Sequence, residues 1–215
     1  MSGIVPNLTK PVTGTPLSTY SEGSIIKINE SGSPVEFYVA KHDYEAGLNG
    51  AGRTLVVRKD CYDTRQWSSS NENVYATSAI DSWLNGDYKN LFGVSVGKAI
   101  GSTKFKYTPS YDSSVGILER AIFLLSVTEL GRSANYANTE GSALSIASSL
   151  QIAYSNGSAV AQWTRSPTTS GPDAAVRLLS DGTVKSTLIS GFNGSRPCFT
   201  LPSTIKIDEN GQVIE

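Results

Sequence analysis

The sequence contains few of the residues that carry metal, redox or acid–base chemistry. Among 215 residues there are one histidine, His42, and two cysteines, Cys61 and Cys198. No second cysteine or histidine lies near either cysteine at zinc-site spacing, which excludes a zinc knuckle. We expect two buried thiols, with a disulfide between them as the alternative. His42 has no metal or catalytic companion in the sequence, so we expect a structural or solvated side chain, no bound metal and no cofactor.

Charge and long apolar runs are also scarce. Charged residues make up 17% of the chain and the net charge is −1, below the typical charged fraction of about 25%. Because no basic run is present, we expect no nucleic-acid binding. The chain lacks an apolar run of about 18 residues and an amino-terminal secretory pattern. We therefore expect a protein that is made in the cytoplasm and does not insert into a membrane.

The amino-terminal residues differ from the rest of the chain. Pro6, Pro11 and Pro16 recur among Thr, Ser, Gly and Asn without a helical or strand period. This composition predicts an extended arm at residues 1–22 and one globular domain at residues 23–215. The arm either has no fixed structure or orders against a neighbouring subunit. In the second case its apolar contacts would be Ile4, Val5, Leu8, Val12 and Leu17.

Strand patterns bounded by turn residues follow the arm. Residues 25–29 and 35–40 predict a hairpin, and residues 54–58 predict the next strand. Residues 46–52 form a glycine-rich loop that matches a phosphate-binding loop only weakly. At the end of the chain, residues 205–214 predict a hairpin around Asn210 and Gly211.

Two helices and a buried strand are predicted in the middle of the chain. Residues 75–92 have helical apolar spacing, with Thr77 or Ser78 as the N-cap, and residues 94–100 form a second candidate. The apolar residues 120–127 predict a fully buried strand. Ser126 and Glu129 have the spacing of a capping box, which predicts a single helical turn ending at Gly131.

The stretch from residue 163 to residue 202 provides the most distinctive pattern. A buried tryptophan ring still needs a partner for its N–H group, and arginine suits buried carbonyls and carboxylates. We expect a structural framework of Trp163, Arg165, Pro167, Arg196 and Pro197. An anion site formed by the two arginines is the alternative. Residues 180–183 predict a tight turn between two strands.

Several blocks of this sequence resemble one family. They are the residues 62–67, the run SSSNENVYATSAIDSWLN, and the shorter runs IFLLSVTELG, WTRSP, LSDGTV and RPCFTLPSTI. The chain resembles a domain of unknown function that is common in tail-associated structural proteins of phages and prophages of Firmicutes. Over its final third, that family is similar to formylglycine-generating-enzyme-like and C-type-lectin-like proteins. The resemblance implies an α+β fold: a C-type-lectin-like mixed sheet with two main helices and long irregular loops.

The resemblance also implies where a ligand would bind. The framework residues would support exposed loops between residues 168 and 192, and Phe192 in the run GFNG is expected to be exposed. The candidate binding residues are Thr168, Thr169, Ser170, Asp173, Ser180, Asp181, Thr183, Lys185 and Phe192. Formylglycine generation needs a cysteine pair, but only Cys198 lies in the carboxy-terminal part. The loop around Asp173 lacks the paired acidic and amide residues of calcium-binding lectins, so no calcium is expected.

The resemblance implies a non-enzymatic phage virion protein. The first hypothesis is a tail-tip, fibre or baseplate component that binds a host-surface glycan or protein. The second is a decoration protein docked on a capsid or tail by residues 1–22, which would contact other virion proteins. Both roles fit a homo-oligomer. A cell-wall-degrading enzyme is the remaining alternative, and its carboxylates would come from Asp60, Asp63, Glu72, Asp81 or Glu129.

Overall fold

The structure is a computed structural model that describes residues 13–214. The strands of this part of the chain are β1 (Thr15–Pro16), β2 (Ile25–Glu30), β3 (Ser33–His42), β4 (Arg53–Arg58), β5 (Asp63–Gln66), β6 (Thr103–Tyr107), β7 (Gly116–Arg120), β8 (Ile122–Phe123), β9 (Ala153–Ser155), β10 (Ser158–Val160), β11 (Gln162–Pro167), β12 (Ala174–Leu178), β13 (Val184–Leu188), β14 (Phe192–Ser195), β15 (Cys198–Pro202) and β16 (Lys206–Ile207). The α-helices are α1 (Ala46–Asn49), α2 (Ala79–Trp83), α3 (Val94–Ala99) and α4 (Ala147–Leu150). Strands dominate and the helices are short, so the predicted α+β class is confirmed.

Two five-stranded sheets organise the domain. The first has the order β2-β3-β4-β15-β8 and is antiparallel throughout. The second has the order β13-β12-β11-β14-β5, in which only the β11–β14 pair is parallel. Strands β14 and β15 are separated by two residues and belong to different sheets, so the segment 192–202 joins the two sheets.

The predicted hairpins are confirmed. Strands β2 and β3 pair from Ile25 opposite Tyr38 to Glu30 opposite Ser33. Only residues 31–32 form the turn, and both have positive φ, as a two-residue type I′ turn requires. At the other end of the chain, Ile207 bridges to Val213 around the predicted turn.

The predicted long helix over residues 75–92 is a series of short helical pieces. A 3₁₀ turn at Tyr75–Thr77 precedes α2, which is followed by a π-helical segment at Leu84–Tyr88 and a second 3₁₀ turn at Lys89–Leu91. Ser78 caps α2, because its Oγ accepts the backbone N–H of Asp81 at 3.1 Å. The second predicted helix is α3, of six residues. The two main helices that were expected are therefore short: α2 has five residues and α3 has six.

The prediction of one buried strand over residues 120–127 is wrong. Arg120 ends β7 and Ile122–Phe123 form β8, but residues 124–127 form no strand although they are buried. The Leu125 carbonyl accepts the backbone N–H of Arg165 on β11 at 3.0 Å, but side chains satisfy the neighbouring amides. The N–H of Leu124 donates to the Tyr75 hydroxyl at 3.0 Å, and that of Val127 to Ser166 Oγ at 3.1 Å. A buried apolar run therefore needs no strand ladder when polar side chains reach its amides.

The predicted capping box is confirmed. The N–H of Glu129 donates to Ser126 Oγ at 3.1 Å, and the N–H of Ser126 donates to Glu129 Oε2 at 2.9 Å. A single turn follows, in which the N–H of Leu130 donates to the Ser126 carbonyl. Gly131 ends it with a φ of 68°, a conformation that favours glycine.

Residues 46–52, predicted as a glycine-rich loop, begin instead with the short helix α1. The segment then turns at Gly50 and Gly52, which have φ values of 73° and 93°. No helix within residues 13–214 is long and apolar enough to span a membrane.

The described part of the predicted arm belongs to the domain. Strand β1 pairs with β16, and the N–H of Leu17 donates to the Ile205 carbonyl at 2.9 Å. The Leu17 side chain is fully buried in the core, so it does not contact a partner as predicted. The other predicted arm contacts, within residues 1–12, lie outside the described residues.

Candidate functional site

The predicted framework residues are interior residues. Trp163 on β11 is only 2% exposed, and its Nε1–H donates to the Arg65 carbonyl at 2.9 Å. Pro167 and Pro197 are also buried. The predicted buried tryptophan with a hydrogen-bonded N–H group is therefore confirmed.

Arg165, the central framework residue, is completely buried on β11. Its Nη1 donates to Glu129 Oε2 at 2.6 Å and to the Leu124 carbonyl at 2.9 Å. Its Nε and Nη2 both donate to the Lys106 carbonyl. Burial alone would lower the pKa of Arg165, but the Glu129 carboxylate raises it above the ordinary value. This ion pair joins β11 to the irregular buried segment that follows β8.

A second buried carboxylate lies close to this ion pair. Glu140 accepts hydrogen bonds from Ser166 Oγ at 2.6 Å and from the N–H of Thr108 at 2.5 Å. Burial raises the pKa of Glu140, and the nearby Arg165 partly opposes that shift. The two carboxylates thus hold three segments of the chain together within the interior.

Arg196 makes a different set of contacts. Its guanidinium donates to the carbonyls of Arg58, Lys59 and Leu150 at 2.8, 2.7 and 2.9 Å. Burial lowers the pKa of Arg196. Every nitrogen of both framework guanidinium groups already donates a hydrogen bond within the protein, so the alternative of an anion site on Arg165 and Arg196 is wrong.

The structure separates the candidate binding residues into two groups at opposite ends of β12. Thr169, Ser170 and Asp173 lie in the loop before this strand, whereas the predicted turn at residues 180–183 follows it. A strand of five residues spans roughly 15 Å. Lys185 lies on the neighbouring strand β13, opposite Arg177. The candidates therefore do not form one site.

Exposure distinguishes the candidates further. Thr168, predicted to be displayed, is fully buried. Its hydroxyl donates to the Gly171 and Ala174 carbonyls, because the loop folds back over it. Phe192 is 67% exposed, as predicted. Exposed side chains are also found at Ser170, Asp173, Ser180, Asp181, Thr183 and Lys185.

An open groove of about 510 Å³ lies beside the first group of candidates. We call it the loop groove, because three loops form it: residues 68–74, 108–115 and 168–173. Its lining includes Asn71, Glu72, Asn73, Ser110, Tyr111 and Pro172. The Tyr111 side chain is 39% exposed. The groove therefore combines an aromatic ring with polar side chains, a common composition of ligand sites.

Asn73 fixes the shape of the loop groove. Its Nδ2 donates to the carbonyls of Thr168, Gly171 and Ala174 at 3.1, 3.0 and 2.8 Å. The N–H of Thr169 is also bonded, to the Tyr136 carbonyl at 2.8 Å. The loop is thus held by hydrogen bonds from two other segments while Ser170 and Asp173 face solvent.

A second open cavity of about 510 Å³ lies at the start of β5. We call it the polar cleft. Its lining includes Arg58, Asp60, Tyr62, Asp63, Thr64 and Asn156. Cys61 also lines it, but burial raises the pKa of this thiol to about 11, so the thiolate is a minor form at neutral pH.

The remaining chemical candidates are held in structural roles. His42 Nδ1 lies 2.8 Å from Thr54 Oγ1, and its Nε2 lies 2.8 Å from the Tyr20 carbonyl. Cys61 and Cys198 are both free and buried, as expected. Within residues 13–214, no three His, Cys, Asp or Glu side chains gather to hold a metal ion.

Sequence reasoning missed Asn73, Tyr111 and the polar cleft. The acceptors of Asn73 lie about a hundred positions later in the chain, so no local pattern predicts the contact. Tyr111 carried a usable signal, since it is an aromatic residue within the turn-rich run TPSYDSSVG. The two halves of the polar cleft, around residues 58–64 and 155–157, meet only in the folded chain.

The comparisons with known proteins place this domain in a family. The model of a domain of unknown function, DUF6273, matches residues 51–203, which include both cavities. The chain therefore belongs to the DUF6273 family. No curated protein and no solved structure matches the chain.

Proposed function

We propose that this chain is a non-enzymatic structural protein of a phage virion that binds the host surface through the loop groove. Its place would be a tail tip, fibre or baseplate, and its ligand a surface glycan or protein. The virion assignment rests on the resemblance of the sequence blocks to tail-associated proteins. The predicted arm at residues 1–22 would supply contacts to other virion proteins, within a homo-oligomer.

The observation that carries the proposal is the construction of the 168–173 loop. The Asn73 side chain donates hydrogen bonds to three carbonyls of this segment, while Ser170 and Asp173 remain exposed. Tyr111 adds a half-exposed ring on the facing loop. A binding surface that is ordered before it meets its ligand loses less conformational entropy on binding.

The positions of the carboxylates favour binding over hydrolysis. Of the five acids considered as catalytic, Asp63, Asp81 and Glu129 each pair with an arginine. Only Glu72 lines the loop groove, and of the two acids that line the polar cleft, Asp60 and Asp63, the second is paired with Arg65. A glycosidase needs two carboxyl groups facing each other across one cleft.

We further propose that the fold is C-type-lectin-like. The support is the combination of a mixed sheet, short helices and a long irregular segment between β8 and β9 that contains only α4. In such a fold, irregular loops on a rigid core hold the ligand.

Binding of the labelled full chain to whole host cells tests this function. The double substitution Tyr111→Ala with Asp173→Ala removes an exposed ring that lines the loop groove and an exposed acid on the 168–173 loop beside it. We expect binding to fall at least about tenfold. The matched control, Lys185→Ala with Asp181→Ala, changes exposed residues away from the groove and should bind like the wild type. Unchanged binding by the first variant contradicts the proposal. So does attachment to phage particles without any cell binding, or turnover of purified peptidoglycan.

A further inference from the structure

We propose that the polar cleft is a second, separate site, and that it binds a neutral saccharide unit. This inference does not depend on the loop groove, because a different set of residues lines each cavity. The cleft has the size of a small-ligand site, at about 510 Å³.

One wall of the cleft is an aromatic ring held in a fixed position. The Tyr62 side chain is 39% exposed, yet its ring packs against Trp83 and Tyr88 at centroid distances of 5.4 and 5.2 Å. The Tyr88 ring in turn packs against Phe92, and both residues belong to the hydrophobic core. Arg65 in turn lies 3.3 Å over the Trp83 ring. Aromatic side chains lose little conformational entropy on binding, and the Tyr62 ring is already held in place by its neighbours.

Hydrogen-bonding groups on the other walls are free to meet a ligand. Within residues 13–214, the side chains of Asp60, Thr64 and Asn156 make no hydrogen bond to the protein, and all three are exposed. They provide a carboxylate, a hydroxyl and an amide, which together accept from and donate to several hydroxyl groups. The Asn156 main chain is fixed by the tight turn that it forms with Gly157, where φ is 49° and 76°.

The charges in the cleft select the class of ligand. Each nitrogen of Arg58 already donates, to Glu30 or to the carbonyls of Asp60 and Cys61. Arg65 is similarly paired with Asp63. A phosphate or another anion would therefore meet the Asp60 carboxylate without a free cation to balance it. A neutral polyhydroxylated ring has the donors that this carboxylate needs.

The test is a series of two-dimensional ¹H–¹⁵N spectra of the full chain, with EDTA present. Glucose, galactose, N-acetylglucosamine and rhamnose are each added at millimolar concentration, and glucuronate serves as the anionic comparison. We expect at least one neutral sugar to shift the amide signals of residues 58–64 and 155–157 in a saturable way, and glucuronate to bind more weakly. Asp60→Asn should weaken that sugar about tenfold or more, since it removes a charged acceptor. Glu209→Gln, an exposed acid away from the cleft, should not change the affinity.

Three results would overturn the site. They are the absence of saturable shifts in these residues with every neutral sugar, unchanged affinity in Asp60→Asn, and equal or tighter binding of glucuronate. Shifts confined to residues 71–74 and 110–111 would also overturn it, while supporting the function proposed for the loop groove.

Discussion

The loop groove and the polar cleft are both supported by a buried arginine, but the two arginines are balanced differently. Arg165 lies on the strand that leads into the 168–173 loop, and its charge meets the Glu129 carboxylate. Arg196 holds the carbonyls of Arg58 and Lys59, where the chain enters the polar cleft. Within the described residues, Arg196 meets carbonyl dipoles and no carboxylate within ion-pair distance.

The difference indicates which site depends more on the interior. Removing one member of a buried ion pair leaves an uncompensated charge in a medium that solvates it poorly. Removing an arginine that binds only carbonyls leaves neutral acceptors, which water can reach more easily when they lie near a surface. Removing Arg165, which supports the loop groove, should therefore destabilise the protein more than removing Arg196, which supports the polar cleft.

The largest expected effect is that of Arg165→Ala. It leaves Glu129 buried without its partner, and we expect the free energy of unfolding to fall by about 3–5 kcal/mol. Chemical denaturation of the variant measures this change. Arg132→Ala, at an exposed arginine, is the control and should stay within about 0.5 kcal/mol of the wild type. A loss below about 1 kcal/mol for Arg165→Ala would show that the ion pair is not a support.

The second effect depends on pH and concerns Asp81, a buried acid in the first turn of α2. Burial raises the pKa of Asp81 from 3.8 to about 6, although the Arg120 ion pair opposes the shift. The folded state therefore favours the protonated acid. Its contribution to stability is complete below about pH 4 and is lost as the pH rises through about 6.

Denaturation of wild type and Asp81→Asn at several pH values isolates this contribution. Because the asparagine does not titrate, the stability of the wild type relative to the variant should fall by about 2.5 kcal/mol between pH 4 and pH 7. A relative stability that rises with pH would mean that the ion pair with Arg120 outweighs the burial of Asp81.

A smaller and more local effect is expected for Arg196→Ala. We expect a loss of about 2 kcal/mol, since three carbonyls lose their donors but no carboxylate is left unpaired. Amide spectra of the variant should change at residues 58–61 and remain close to wild type at residues 168–174. Equal perturbation of both regions would contradict the separate support of the two sites.

Local patterns in the sequence predict the local structure well. The β2–β3 hairpin, the Ser126 capping box and the Ser78 helix cap each depend on residues within a few positions of one another. The buried placement of Trp163 follows from its size and its need for one hydrogen-bond partner.

The sites were harder to predict because they depend on contacts between distant parts of the chain. Asn73 reaches the loop after β11, and the polar cleft joins residues 58–64 to residues 155–157. The resemblance implies that Thr168 is displayed, but the loop folds back over it and buries it, a contact that no local pattern shows. Sheet order was equally non-local, since β11 pairs in parallel with β14 although β12 and β13 lie between them in the chain.

Amide hydrogen exchange tests the central claim, that the 168–173 loop is ordered before any ligand binds. The amides of Thr168 and Thr169 donate to the carbonyls of Ala174 and Tyr136. Exposed loops usually open at almost no free-energy cost. We predict instead that these two amides exchange with opening free energies close to those of β11, and that Asn73→Ala lowers them while β12 stays protected. Exchange of Thr168 and Thr169 in the wild type at the rate of an unprotected loop would contradict the account.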